Sequence, residues 1–146
     1  MSAYRTVVVG TDGSDSSLRA VDRAGTIAGA NAKLIVASAY LPQHEDARAA
    51  DTLGSESYKV SGAAPIYAIL QEAKERDQAA GATNVEERSV VGAPVDALVG
   101  LAEEVGADLL VVGNVGLSTI AGRLLGSVPA NVSRRAKVDV LIVHTS

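Results

Sequence analysis

Short, unbroken apolar runs and helix-period segments take turns along this chain, and that alternation restricts the fold more than any other feature. Val7-Val8-Val9 runs into Gly10, Lys33 to Tyr40 is apolar through its middle, and Leu109-Leu110-Val111-Val112 runs into Gly113, while Val138 to His144, with Asp139 in it, forms the last strand. A run without polar alternates suits a strand covered on both faces. Val85 to Val91 reads differently, with Glu86, Glu87, Arg88 and Ser89 inside it, and suits a strand exposed on one side near a sheet edge. Between the runs, Ser16 to Ala30 carries Leu18, Val21 and Ile27 at helical spacing. Pro65 to Ala80 carries Ile66, Ile69, Leu70 and Ala73 on one stripe, with Gly81 as its stop. Pro94 opens a helix with the stripe Val95, Leu98, Leu101, Ala102 and Val105, closed by Gly106, and Val128 to Arg135 forms the last helix. The order βαβαβαβαβ sends every crossover through a helix, which demands a parallel sheet with right-handed connections. The fold class is therefore α/β, an open doubly wound sheet of five strands with helices on both faces.

At 146 residues this is one domain, since a single core of that size buries roughly two-thirds of the unfolded surface and two smaller cores would each be marginal. Apolar residues make up 47%, but with no Phe or Trp the core must be filled by Ala, Val, Leu and Ile. From 41 to 64 the pattern lapses into Asp, Glu, Ser, Gly and Ala, with Pro42 and Pro65 as bookends, which reads as a mobile surface insertion. A net charge of -4, with no basic run longer than Arg134-Arg135, argues against nucleic acid as a partner. Zero cysteines exclude disulfides and thiolate metal sites, and two distant histidines argue against a structural zinc. No apolar run approaches the roughly 20 residues that span a bilayer. The opening Met1-Ser2-Ala3-Tyr4-Arg5 has no apolar segment of a signal peptide, so the expectation is a cytoplasmic protein away from the membrane.

Chemistry concentrates where the fourth strand ends. Gly113, Asn114, Val115 and Gly116 follow Val112, and Gly126-Ser127 stands nine residues further on, before the helix beginning at Val128. Glycines after a strand and a Gly-Ser helix start present bare backbone N–H groups to one spot, an arrangement suited to phosphate. A second glycine loop, Gly10-Thr11-Asp12-Gly13, follows strand one. Ligands of open parallel sheets collect at the carboxyl ends of neighbouring strands whose helices go to opposite faces. A strand order 3-2-1-4-5 would bring the two loops side by side, although periodicity alone does not fix that order.

The spacing G-x2-G-x9-G-S, the opening Gly10-Thr11-Asp12-Gly13-Ser14 and the terminal Val138-Asp139-Val140-Leu141-Ile142-Val143 resemble the universal stress protein family from Tyr4 to His144. The resemblance implies the strand order 3-2-1-4-5 and an adenine nucleotide as ligand, with a magnesium ion if that ligand is ATP. It implies that Asp12 takes a ribose hydroxyl, that Gly10 and Thr11 lie against the nucleoside, and that Ala39 meets the adenine ring. Val112, Gly113, Asn114, Val115 and Gly116 would line the sugar and phosphates, which Arg123, Gly126, Ser127 and Val128 would receive at the helix start. It also implies a homodimer joined through the last strand, Val138 to Val143, and a role in stress response as a nucleotide sensor or sequestering protein. The chain departs from the usual pattern at Asn114, where Ser or Thr is frequent, at Val115, where Arg or His is frequent, and at Gly122, where a larger residue is common. These departures remove positive charge, leaving Arg123 and roughly half a charge from the helix start to meet the phosphates. AMP or cyclic AMP should then compete well with ATP.

Plainer readings exist for several of these residues. Asp12, Ser14 or Ser16 could simply cap the first helix, and Ser127 the last. The run Glu72, Lys74, Glu75, Arg76, Asp77 reads as a solvated helix face, and His44 and His144 as solvated or structural residues without a nucleophile nearby. Thr11 to Ser16 partly resembles the S-G-G-x-D-S loop of ATP pyrophosphatases, but Asp12 stands at a glycine position of that loop and would repel the phosphates by a few kcal/mol at an effective dielectric of about 20. Neither a P-loop nor a dinucleotide fingerprint is present. Binding without turnover is the expectation, with no catalytic residues. The alternatives are slow ATP hydrolysis and a dimeric interaction module that needs no nucleotide.

Overall fold

The computed structural model describes residues 4–40, 63–114 and 128–144. Its elements follow the order β1 (Thr6–Gly10), α1 (Asp15–Ala28), β2 (Lys33–Tyr40), α2 (Ala63–Ala79), β3 (Asn84–Val91), α3 (Pro94–Val105), β4 (Leu109–Gly113), α4 (Val128–Arg135) and β5 (Asp139–Val143). The five strands form one parallel sheet in the order β3-β2-β1-β4-β5.

Side-chain alternation divides the core into two layers. Val7 and Val9 of β1, Leu34 and Val36 of β2, and Leu109 and Val111 of β4 pack with Leu18 and Val21 of α1 and Ile66 and Leu70 of α2. Val8, Ile35, Leu110 and Val112 turn the other way, onto Leu98 and Leu101 of α3 and Val132 of α4. The central strands thus read as continuous apolar runs because both of their faces are covered. Each fully buried Val or Leu contributes about 1.5–3 kcal/mol over its exposed state. β3 is an edge strand, and its charges are met by neighbours: Glu86 pairs with Lys33 at 3.0 Å, and Arg88 with Glu104 at 2.7 Å.

Element ends shift by one or two residues from the expected ones, for local reasons. α1 stops at Ala28 rather than Ala30 because Gly29 takes φ +52°, a conformation other residues avoid. α2 begins at Ala63, so Ala63 and Ala64 belong to the helix and not to the preceding loop. Pro65 still falls in the first turn, where its missing N–H costs nothing. α3 ends where Gly106 adopts the left-handed conformation and its N–H returns to Ala102. The remainder of the expected insertion, 41–62, lies outside the described residues.

Candidate functional site

β1 and β4 are neighbours, with Val9 opposite Val111, so the chain leaves the sheet side by side after Gly10 and after Gly113. From there the two paths part. The Thr11 N–H donates to the Ala37 carbonyl of β2 at 2.9 Å, whereas the Asn114 N–H donates to the Val143 carbonyl of β5 at 2.8 Å. One path is drawn toward β2 and α1, the other toward β5. A crevice opens between adjacent strands whose continuations are pulled apart in this way, and in parallel sheets that crevice receives ligands.

The β1 loop is braced from within. Ser14 is the N-cap of α1, its hydroxyl accepting the Ser17 N–H at 3.2 Å. The Ser17 hydroxyl donates to the Ser14 carbonyl at 3.0 Å and accepts the Asp12 N–H at 3.3 Å. With its hydrogen so committed, Ser17 can only accept from Thr11, whose hydroxyl lies 2.8 Å away and itself accepts the Gly13 N–H at 3.1 Å. Gly13 has φ +84°, and a Cβ there would stand 3.0 Å from Cγ1 of Ile69 on α2. The conformation calls for glycine, and a larger residue would also have to displace the Ile69 side chain. Asp12 is half-buried, and its carboxylate accepts the Ser14 N–H at 3.0 Å, which fixes its direction at the mouth of the loop.

Of the residues expected at the site, the structure brings together Gly10, Thr11 and Asp12 on β1 and its loop, Ala39 near the end of β2, and Val112, Gly113 and Asn114 on β4 and just after it. The side chains of Thr11 and Val112 are spent on the fold. Thr11 is tied into the loop network, and Val112 is fully buried against the α3–α4 layer, leaving its backbone for any ligand. Asn114 reaches the end of β5, where its amide nitrogen lies 3.3 Å from Nδ1 of His144. Val115, Gly116, Arg123, Gly126 and Ser127 fall outside the described residues, and Val128 is placed only as the first residue of α4. Sequence reasoning passed over Ser17, the hub of the loop. A serine three residues after a capping serine is its only signal.

One expectation is overturned. The charged run on α2 is not a solvated face throughout, because Asp77 is fully buried against α1, and Arg76 bonds to Asp22 of α1 through Nε at 2.9 Å. Asp77 follows Ile66, Leu70 and Ala73 at helical spacing and so continues the buried stripe.

A second concavity of about 430 Å³ lies between β3 and α3, with Val90, Val91, Ala97, Gly100 and Leu101 among its lining residues. Its charged members Arg88, Glu104 and Asp96 are already paired, Arg88 with Glu104 and Asp96 with Arg135, both at 2.7 Å. Among the described residues no group of three or more His, Cys, Asp or Glu side chains could hold a metal ion, and no helix is long and apolar enough to cross a membrane.

Comparison with known proteins places this geometry in context. The universal stress protein family matches residues 3–144. The chain is 83% identical over 146 residues to universal stress protein Rv1636 of Mycobacterium tuberculosis (strain ATCC 25618 / H37Rv), covering 100% of both chains. A crystal structure of a universal stress protein in complex with cAMP superposes with a TM-score of 0.77 at 72% identity, covering 99% of this chain and 100% of that one. The universal stress protein from Archaeoglobus fulgidus in complex with dAMP superposes at 0.69 with 23% identity over 96% of this chain and 98% of that one, a likeness of fold.

Proposed function

This chain belongs to the universal stress protein family, and on that premise we propose that it binds an adenine nucleotide in the crevice between the β1 and β4 loops. The observation that carries the proposal is the cAMP complex of a protein 72% identical over nearly the whole chain. Asp12, its carboxylate aimed by the Ser14 N–H, accepts a ribose hydroxyl, since a short carboxylate suits a hydroxyl donor. The rim of Gly10, Thr11, Ala39, Val112, Gly113 and Asn114 approaches the nucleoside chiefly through backbone. Val115, Gly116, Arg123, Gly126, Ser127 and Val128 complete the phosphate side.

Electrostatics favours nucleotides of low charge. The helix start carries roughly half a positive charge, Arg123 adds one, and Asp12 brings a negative charge to the same crevice. With ATP as ligand, magnesium would arrive on its phosphates. AMP and cAMP need no such help. The protein acts in the cytoplasm as a sensor or reservoir of the nucleotide in stress response. Its dimer forms along β5, an edge strand on which Ile142 is 41% exposed.

Two measurements test the proposal. Freshly isolated protein is denatured and released nucleotides are identified by mass spectrometry, and calorimetry then ranks cAMP, AMP and ATP in magnesium buffer. An adenine nucleotide in the released fraction, with cAMP or AMP binding at least as tightly as ATP, is expected. No binding of any of the three overturns the nucleotide reading, and an ATP affinity far above the other two overturns the ranking.

A further inference from the structure

Asp77 sits where two helix backbones touch. At Gly25 of α1 a Cβ would lie 2.9 Å from the Asp77 carbonyl oxygen and 3.0 Å from its Cα, so no side chain separates the helices there. The Asp77 carboxyl is 0% exposed, and neither of its oxygens has a hydrogen-bond partner. A buried carboxylate without a partner is far more costly than a buried carboxylic acid.

Its surroundings offer the anion no relief. Asp22 on α1 repels it, and Arg76, its neighbour on α2, is bonded to Asp22 through Nε and Nη2, with Asp15 of α1 and Glu72 of α2 also drawing on that guanidinium. Lys74, three residues back on α2, does not hydrogen-bond to Asp77. From the sheet and the residues leading into it, the titratable groups turned to this layer are Glu87 of β3, opposite Val36, Tyr40 of β2, Asp139 of β5, opposite Leu109, and Tyr4, whose hydroxyl donates to Asp139. Asp77 also lies two residues from the end of α2, where the helix presents partial negative charge. Burial, with Asp22 adding, pushes its carboxyl up to about 8.

We propose that Asp77 is a proton-gated joint between α1 and α2: uncharged it fits the seam, and on losing its proton to solvent it forces the helices apart and loosens the Thr11–Ser17 loop at the head of α1. The mechanical link is short. The same two helices touch the loop, since α1 begins one residue after Ser14 and Ile69, about two turns before Asp77 on α2, closes on Gly13. The proposal needs no nucleotide and stands apart from the binding site's assignment.

The unfolded carboxyl ionises near its ordinary value of about 3.9, whereas the folded one holds its proton to about 8. Stability contributed by the neutral form is complete below the first value, declines as pH rises between the two, and is gone above the second. The experiment follows the Asp77 carboxyl carbon of the full chain by NMR across this range, and compares melting temperatures and amide exchange of Gly13 to Ser17 in wild type and Asp77→Asn. Expected are a carboxyl titration near 8, a wild-type melting temperature that falls between pH 5 and 9 by roughly 10 °C more than the variant's, and weaker protection of the loop amides, relative to their intrinsic exchange rates, at pH 9 in wild type than in the variant. Titration in the ordinary carboxylate range, parallel melting curves, or loop exchange that does not differ between the two proteins at pH 9 overturns the proposal. Should Asp77→Asn not fold, the wild-type carboxyl titration decides.

Discussion

Thr11 at the head of α1 and Asp77 near the end of α2 are 2% and 0% exposed, but the chain treats these two buried polar groups in opposite ways. Around Thr11 the hydroxyls of Ser14 and Ser17 and three backbone N–H groups form a linked set of bonds. Around Asp77 the side chain finds no bond at all. A satisfied polar network fixes one geometry, which a binding loop needs. An unsatisfied acid leaves stability dependent on a proton. The bonded network holds the loop that leads into α1, and the unbonded acid lies further along the seam of the same two helices.

The contrast can be broken from either side. Gly25→Leu drives a side chain into the Asp77 backbone and the Ala80 Cβ, and overpacking of this kind should cost about 3 kcal/mol, read from the denaturant midpoint. A loss below about 0.5 kcal/mol would mean that α1 and α2 are not in backbone contact. Thr11→Val keeps the shape but strands the Gly13 N–H, at an expected cost of about 2 kcal/mol and faster exchange of that amide. Unchanged exchange would show that the network does not hold the loop. Ser14→Ala removes the cap of α1 for about 1 kcal/mol and, because coupling is reciprocal, a loosened loop should lower the pH at which Asp77 ionises. An unchanged Asp77 titration would show that the joint and the loop are not coupled.

Much of this was legible in the sequence. The buried strands announced themselves because both of their faces are covered, so no polar residue interrupts Val7 to Val9 or Leu109 to Val112. The charged pattern of β3 marked an edge. Proline at the start of α3 and Gly106 at its end set that helix to the residue. Gly10 to Gly13 and Gly113 pointed to the carboxyl end of the sheet because only a backbone free of side chains can approach a ligand there. Asp77 was misread for a physical reason. Sign alternation along α2 looks the same whether the last acid faces water or α1, and only its spacing from Ile66, Leu70 and Ala73 distinguishes the two. Ser17 escaped because a hydroxyl in the first turn of a helix carries no mark of the long-range role it takes once Thr11 folds over it.

The central claim is that a nucleotide settles where the β1 and β4 paths part, and amide chemical shifts followed during titration with cAMP test it most directly. The largest changes are expected at Gly10 to Gly13, Ala39, Gly113 and Asn114, with Arg88 to Val91 and Ala97 to Leu101 unmoved. Saturable changes confined to the groove between β3 and α3, with the β1 loop silent, would contradict it.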